Sequence, residues 1–298
     1  MKKTYLATAV ATLFVSSITT AIAADTLLDD VVVSSSRSEQ RSFDAPGSIQ
    51  SVGREVIQSS GPQVNLSEAL ASVPGVTILN RQNYAQDVMI SSRGFGSNSA
   101  FGARAVKIYV DGIPATIADG QGQTSHIDLA SAERIEVLRG PFTSIYGNSA
   151  GGVIQVFSEK GRPGNDVTPY ASYGSFGTTK YGVKASGDNG QINYLIDSNR
   201  FDTNGSREHS AADRNTTNAK LAIQLGQDSQ LTIIGNSFKT TAQDPLGLSL
   251  LAINSGSQAA GYNANTWNSV KSVEQNQGGF EFAKKLSAEE SIKLVGYY

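Results

Sequence analysis

The chain has 298 residues, a formal net charge of −2 and no cysteine. That charge argues against a nucleic-acid partner, which needs a basic surface, and the missing cysteine excludes a disulfide framework, a thiolate metal site and a cysteine nucleophile. Glycine, at 30 residues, exceeds the ~7% norm and suits many turns and strongly twisted strands.

Lys2 and Lys3 precede a charge-free apolar run from Thr4 to Ile22, which closes on Ala21-Ile22-Ala23, the small-x-small pattern a signal peptidase reads. Residues 1–23 are read as a cleaved export signal, so the mature chain starts at Ala24. The Ala and Thr content and the cleavage tripeptide argue against a permanent membrane helix. No later stretch reaches the ~18 apolar residues of a spanning helix, so any membrane-integral part must be a barrel.

Asp25 to Glu39, DTLLDDVVVSSSRSE, sets a β-branched run between acidic residues and a serine-rich spacer, with no partner strand in sequence reach. Residues 24–40 read as a mobile arm. An extended β-branched segment can add to the edge of another sheet through main-chain hydrogen bonds; the alternative is an ordinary first strand.

From Phe43 to Phe157 short alternating strands are predicted at Ile49–Val52, Val88–Ser91, Lys107–Val110, Arg134–Leu138 and Val153–Phe157, with a few brief helices. Asn65 is a candidate N-cap for a helix carrying Leu66, Ala69, Leu70 and Val73 on one face, ended by Pro74-Gly75. Asp111-Gly112 is a hairpin turn signal. Residues 41–160 thus read as a small α+β globule.

From Val167 the texture changes to longer runs separated by turn residues: Val167–Tyr173, Thr179–Ser186, Gln191–Phe201, Asn218–Leu225, Gln230–Phe238, Gly279–Leu286 and Ser291–Tyr298. Ile192, Tyr194 and Ile196 alternate with Asn193 and Asp197, and Leu221, Ile223 and Leu225 with Lys220 and Gln224, as in membrane strands with one lipid face and one lumen face. Connections at 188–190, 226–229 and 287–290 are short, and those at 202–217 and 239–278 are long, the alternation of periplasmic turns and external loops. The first, 174–178, is short on the long-loop side. The first strand is expected to run outward.

His126 and His209 are too few and too far apart for a metal site, and each is expected to be a hydrogen-bonding loop residue. The Gly-rich stretches at 94–96 and 119–122 lack a strand-to-helix frame and a following Lys, so they are not phosphate loops. No Ser/His/Asp set stands out. Neither an enzyme nor a bound cofactor is expected.

LSEALASVPGV (Leu66–Val76), VMISSRGF (Val88–Phe95), VKIYVDGIP (Val106–Pro114) and IDLASAERIEVLRGPFTSIYGNSAGGVIQV (Ile127–Val156) resemble, in order and spacing, the plug domain of TonB-dependent outer-membrane receptors. The resemblance covers about residues 40 to 160. It implies an α+β plug domain followed by antiparallel strands of a transmembrane β-barrel over 161–298. The family's plugged barrels have ~22 strands, so seven imply an incomplete barrel. Its raw edges would cost several kcal/mol per unpaired backbone group in lipid, and the chain is expected to be an N-terminal fragment that does not transport alone.

Within that resemblance Asp30, Val31, Val32, Val33 and Ser34 match the TonB box, the docking segment for the periplasmic energy-transducing protein. Arg93 and Arg139 match two plug arginines that pair with barrel glutamates. Those glutamates would lie beyond Tyr298; the alternatives are loop solvation or pairing with Glu133 or Glu136. Segments 80–86, 97–104 and 115–123 are expected to face outward, and Arg81, Tyr84, Asn98, Phe101, Arg104, Gln121 and Gln123, with Asp119 beside them, are the candidate ligand contacts. Cationic, aromatic and amide groups suit an anionic chelate.

The implied function is energised uptake of a ferric siderophore by an outer-membrane receptor, monomeric when complete, with TonB and membrane lipid as partners. The rivals are a cobalamin or other nutrient importer of the same family, and a passive surface receptor, adhesin or phage docking site.

Overall fold

The computed structural model describes residues 32–33, 40–41 and 48–298, apart from Arg81, Ala100, Phe101, 117–120, Asn148, Gln258 and 288–289. Val32–Val33 (β1) pairs antiparallel with Gln40–Arg41 (β2), Val32 opposite Arg41. The expectation that the β-branched run has no partner in reach is thereby corrected. Its partner is a polar dipeptide, which a search for apolar alternation passes over.

The N-terminal globule then runs β3 (Ser48–Gly53), α1 (Arg54–Ser59), α2 (Leu66–Leu70), β4 (Val76–Leu79), β5 (Met89–Ser92), β6 (Val106–Val110), β7 (Ile113–Pro114), β8 (Ala132–Arg139), a 3₁₀ turn (Pro141–Tyr146) and β9 (Gly152–Ser158). Five strands form one mixed sheet in the order β3-β8-β9-β6-β7, in which only β6 and β9 are parallel; β4 and β5 form a separate ladder. All five predicted strands are present, each extended or shifted by one or two residues. Gly152 is required where β9 begins: its φ is +113°, and a Cβ there would sit 2.5 Å from the Leu138 carbonyl oxygen.

Alternation decides the core. Val106 and Ile108, Ile135 and Val137, and Ile154 and Val156 are buried in one cluster, with Ile57 of α1 and Leu66, Ala69 and Leu70 of α2 packed on it. Leu138, Tyr146 and Val153 make a second, smaller cluster. The N-terminus of α2 is held by the Glu68 carboxylate, which accepts from the backbone N–H of Gln63 at 2.5 Å, Val64 at 3.2 Å and Asn65 at 2.9 Å. Burial is the largest influence on Glu68 and raises its pKa, against the lowering effect of those three bonds.

Seven strands follow as an antiparallel meander, all bonded to their sequence neighbours: β10 (Gly164–Tyr173), β11 (Thr179–Asp188), β12 (Ile192–Thr203), β13 (Ala212–Gln224), β14 (Ser229–Gln243), β15 (Val270–Lys285) and β16 (Ser291–Tyr297). The sheet is open, with β10 and β16 at its edges. No described helix is long and apolar enough to cross a membrane.

The strands alternate as expected. In β12, Ile192 and Ile196 are exposed while Leu195, Asp197 and Asn199 are buried. Through the register, the rows Ile192–Ile223–Leu231–Phe282 and Tyr194–Leu221–Ile233–Phe280 share the outer face. Further along, that face turns polar, with Ser198 bonded to Thr217 at 3.0 Å and Arg200 to Asn215 at 3.3 Å.

This polar upper part corrects the loop lengths. The connections expected at 202–217 and 239–278 shrink to 204–211 and 244–269, because β13, β14 and β15 continue past their apolar rows on ladder hydrogen bonds. The longer loop, which carries α3 (Leu250–Asn254) and α4 (Ala264–Trp267), is clasped by Arg207. Its guanidinium donates to the carbonyls of Leu246 at 2.9 Å, Pro245 at 3.2 Å and Ala259 at 3.0 Å.

The inner face of the wall meets the globule through buried polar groups. Lys184 binds Glu159 at 2.8 Å and Lys220 binds Asp111 at 2.9 Å. Arg214 and Lys180 donate to the consecutive carbonyls of Val64 and Gln63, at 2.5 and 2.8 Å. Asn199 bridges Asp128 at 3.1 Å and Asp197 at 2.7 Å. His126 sits in this seam, and the expectation of a hydrogen-bonding histidine is corrected: it is 3% exposed and neither ring nitrogen has a partner among the described residues. The wall reaches its backbone instead, where Asn236 donates to the His126 carbonyl. His209 does bond, Nε2 lying 3.0 Å from the Ser269 carbonyl oxygen.

Two predictions follow from the seam. Lys220→Ala leaves the Asp111 carboxylate buried without its cation, at a cost of about 3 kcal/mol, seen as a lowered unfolding midpoint of the detergent-solubilised chain; Lys220→Met with Asp111→Asn recovers most of the loss, and equal midpoints for Lys220→Ala and wild type reject the bridge. Burial, then the nearby Arg214 charge, pulls the His126 pKa down to about 4 from its ordinary 6.5. The unfolded chain therefore binds more protons between those values, and stability falls as pH drops from about 6.5 to 4, by up to about 3 kcal/mol. His126→Gln should flatten that slope in unfolding measurements across the range.

Candidate functional site

The three segments expected to face outward come together at the end of the wall that carries the longer connections. Ala103 and Gly122 exchange backbone hydrogen bonds of 3.1 and 3.0 Å, tying 97–104 to 115–123, and Ile90 N–H donates to the Gly102 carbonyl at 3.4 Å. Asp87 accepts from Ser125 at 3.3 Å and pairs with Lys271 of β15 at 3.0 Å. Asn83 and Gln86 donate to Asp244, just past β14, at 2.8 and 3.1 Å. Burial alone would raise the Asp244 pKa, but donation from Gln86, the Leu246 N–H and Asn83 holds it below its ordinary value.

Of the candidate ligand contacts, Asn98, Arg104, Gln121 and Gln123 are exposed at this end. Tyr84 is half-buried: its ring lies 5.0 Å from Phe201 of β12 at 53°, and it packs against Ala85, Ala212 and Ala242. Burial, then the Glu68 charge, raises its pKa, so the phenol stays a neutral donor. Arg81, Phe101 and Asp119 lie outside the described residues. Sequence reasoning missed Asn83, Gln86 and Asp87, which staple this surface to the wall. An available signal was Asn83 itself, whose side chain accepts from the Ala85 N–H at 3.0 Å in a turn that fixes the segment.

Arg93 and Arg139 approach each other over Gly75, where a Cβ would lie 2.9 Å from an Arg139 terminal nitrogen and 3.6 Å from Arg93 Cγ. Arg93 has φ +49° in the turn after β5, and its N–H donates to the Gly75 carbonyl at 2.9 Å. Arg139 donates to the Pro74 carbonyl at 2.6 Å and to the Gln50 side chain. Burial, then the Arg93 charge, lowers the Arg139 pKa. Among the described residues no carboxylate pairs with either; Glu136, one of the alternatives, takes Arg134 at 2.8 Å instead. Two like charges side by side without an acid form a strong anion-seeking point.

Of the residues expected to form the docking segment, Val32 and Val33 are described, as β1, while Asp30, Val31 and Ser34 lie outside the described residues. No cluster of three or more His, Asp or Glu suited to a metal is present among the described residues.

The sequence model of the TonB-dependent receptor plug domain matches residues 41–153. The iron-regulated outer membrane virulence protein of Vibrio cholerae serotype O1 is 31% identical over 229 residues, an alignment covering 69% of this chain and 33% of that protein. The chain thus spans about a third of the length of the curated relatives it matches. In fold it is similar to the unliganded ferric citrate transporter FecA, with a TM-score of 0.70 and 17% identity over 86% of this chain and 40% of that one. The ferric yersiniabactin uptake receptor FyuA from Yersinia pestis gives 0.66 and 19%, over 84% and 40%. With its plug globule, its open antiparallel wall and these relatives, the chain belongs to the TonB-dependent outer-membrane receptors.

Proposed function

We propose that the protein takes up a ferric siderophore across the outer membrane, driven by TonB. The observation that carries this reading is the convergence of segments 80–87, 97–104 and 115–123 at the end of the longer wall connections, which makes one receiving surface of plug and wall groups. An iron-regulated relative and a ferric-chelate fold neighbour supply the cargo class. In domain terms, 1–23 is the export signal, 24–40 the docking arm, 41–160 the plug and 161–298 barrel wall in the outer membrane.

Arg81, Tyr84 and Arg104 are the proposed first contacts, and Asn98, Phe101, Gln121 and Gln123 complete the proposed ligand-binding set. The exposed Arg104 guanidinium meets an anionic chelate by charge-assisted hydrogen bonds, and the amides supply neutral donors and acceptors. At the other functional point, the neighbouring Arg93 and Arg139 are the plug's lock to carboxylates of barrel strands other than β10–β16. Residues Asp30 to Ser34 are the TonB-docking segment. The extended conformation of Val32 and Val33 suits addition to a partner's sheet edge, and the pairing with Gln40–Arg41 occupies one of their two edges.

Arg104→Ala should weaken binding of a ferric chelate about tenfold, the cost of one charge-assisted contact, with the deficit shrinking as salt is raised; unchanged affinity in a titration removes Arg104 from the contact set. Deleting Val31–Ser34 should abolish iron-chelate uptake by cells that depend on the receptor and leave surface binding intact. Retained uptake rejects the docking role, and retained binding without uptake separates an energised importer from a passive surface receptor.

A further inference from the structure

A cavity of about 130 Å³ lies between the plug and two wall loops, lined by Gln82 and Tyr84 on the plug side and by Phe176, Thr178, Thr203, Gly205 and Ser206 on the wall side. We propose that it holds one uncharged planar ring of the transported ligand, clasped between the plug and the wall. The inference rests on the receptor reading above and names a chemical class for part of its ligand.

Size sets the first limit. A cavity near 150 Å³ suffices for benzene, so this one accepts a single ring at its mouth and excludes a whole metal chelate. Chemistry sets the second. Among the described residues the lining has no charged side chain, and two of its hydroxyls are engaged: those of Thr178 and Thr203 lie 2.8 Å apart, and Thr203 accepts from the Gly205 N–H at 3.1 Å. A carboxylate or ammonium would be desolvated there without a counter-charge.

The wall side is built to hold an aromatic ring in the open. Phe176 is 59% exposed and sits at φ +60°, a left-handed conformation that is unfavourable for a bulky residue. Its carbonyl is pinned by the Asn204 N–H at 3.0 Å, and beside it Gly177 has φ +64°, a left-handed conformation that favours glycine. The turn is therefore fixed by the next loop, and an apolar side chain stays in solvent. On the plug side Tyr84 is fixed by Phe201. Aromatic side chains of the plug and of the wall border the same cavity, so a ring held against both meets a stacking site that depends on plug and wall staying in this relation.

The test uses the full chain in detergent micelles and 4-fluorobenzamide as probe, read by fluorine NMR line broadening. Saturable broadening is expected, with weaker binding of the non-planar 4-fluorocyclohexanecarboxamide and of the charged 4-fluorobenzoate. Phe176→Ala should weaken the benzamide about fivefold, while Phe176→Tyr retains it. Phe176 is 59% exposed, so its truncation removes little packing, and the Tyr variant controls for the turn. No saturable signal, equal binding of ring and cyclohexyl probes, or indifference to Phe176→Ala overturns the proposal. If the benzamide fails while a ferric chelate still binds through Arg104, the cavity inference falls and the receptor reading stands; if the chelate fails as well, the reading itself falls.

Discussion

A membrane strand has to be apolar on one face, and period-two alternation then forces every other side chain inward. In this wall the inward row is Lys180 and Lys184, Asp197 and Asn199, Arg214 and Lys220, and Asn236. Such groups are costly when dry and unpaired. The plug resolves the problem by meeting them with Glu159, Asp111, Asp128 and the carbonyls of residues 63, 64 and 126. Wall and plug are therefore two halves of one set of hydrogen bonds.

The charges are divided unevenly between the halves. The wall supplies the ammonium and guanidinium groups, and the plug answers with carboxylates in three places, Glu159, Asp111 and Asp87, but with bare carbonyl oxygens for Lys180 and Arg214. A cation on a carbonyl is held less strongly than one on a carboxylate. The attachment of the plug thus varies along its length. Around residues 63 and 64, next to the entry of α2, the direct contacts are carbonyls, whereas at the outlet of β9 Glu159 takes Lys184 and also Arg54, the latter at 3.2 Å.

This arrangement explains what could be read from the residues. Alternation in Ile192–Ile196 and Leu221–Leu225 was enough to find the strands, and ERIEVLRGP and GGVIQV were enough to find the centre of the plug sheet. The upper halves of β13, β14 and β15 were hidden because DRNTTN at 213–218 is polar on both faces: one row faces outward and the other meets the plug. The same blindness covered β2, whose Gln40–Arg41 is polar; β4, apolar at Val76, Ile78 and Leu79, was missed for another reason, since it follows directly on Pro74-Gly75. His126 was misread because a lone histidine gives no sign of the seam that encloses it. Tyr84 was found as an outer residue, but its anchoring on Phe201 depends on a strand over a hundred residues later, beyond the reach of any local pattern.

The outer end carries the same logic into the proposed uptake. Asp244 takes donors from the plug amides Asn83 and Gln86, and Asp87 takes Lys271, so the receiving surface is stitched to the loop after β14. Arg207 in turn binds that loop to the one after β12. A ligand that displaces any one of these groups changes what holds the plug at its outer edge, because the donors are shared and a vacated acceptor such as Asp244 would remain partly buried. In the proposed uptake, binding at the outer surface would for that reason be coupled to the seating of the plug through named hydrogen bonds, with no rearrangement of the sheet required.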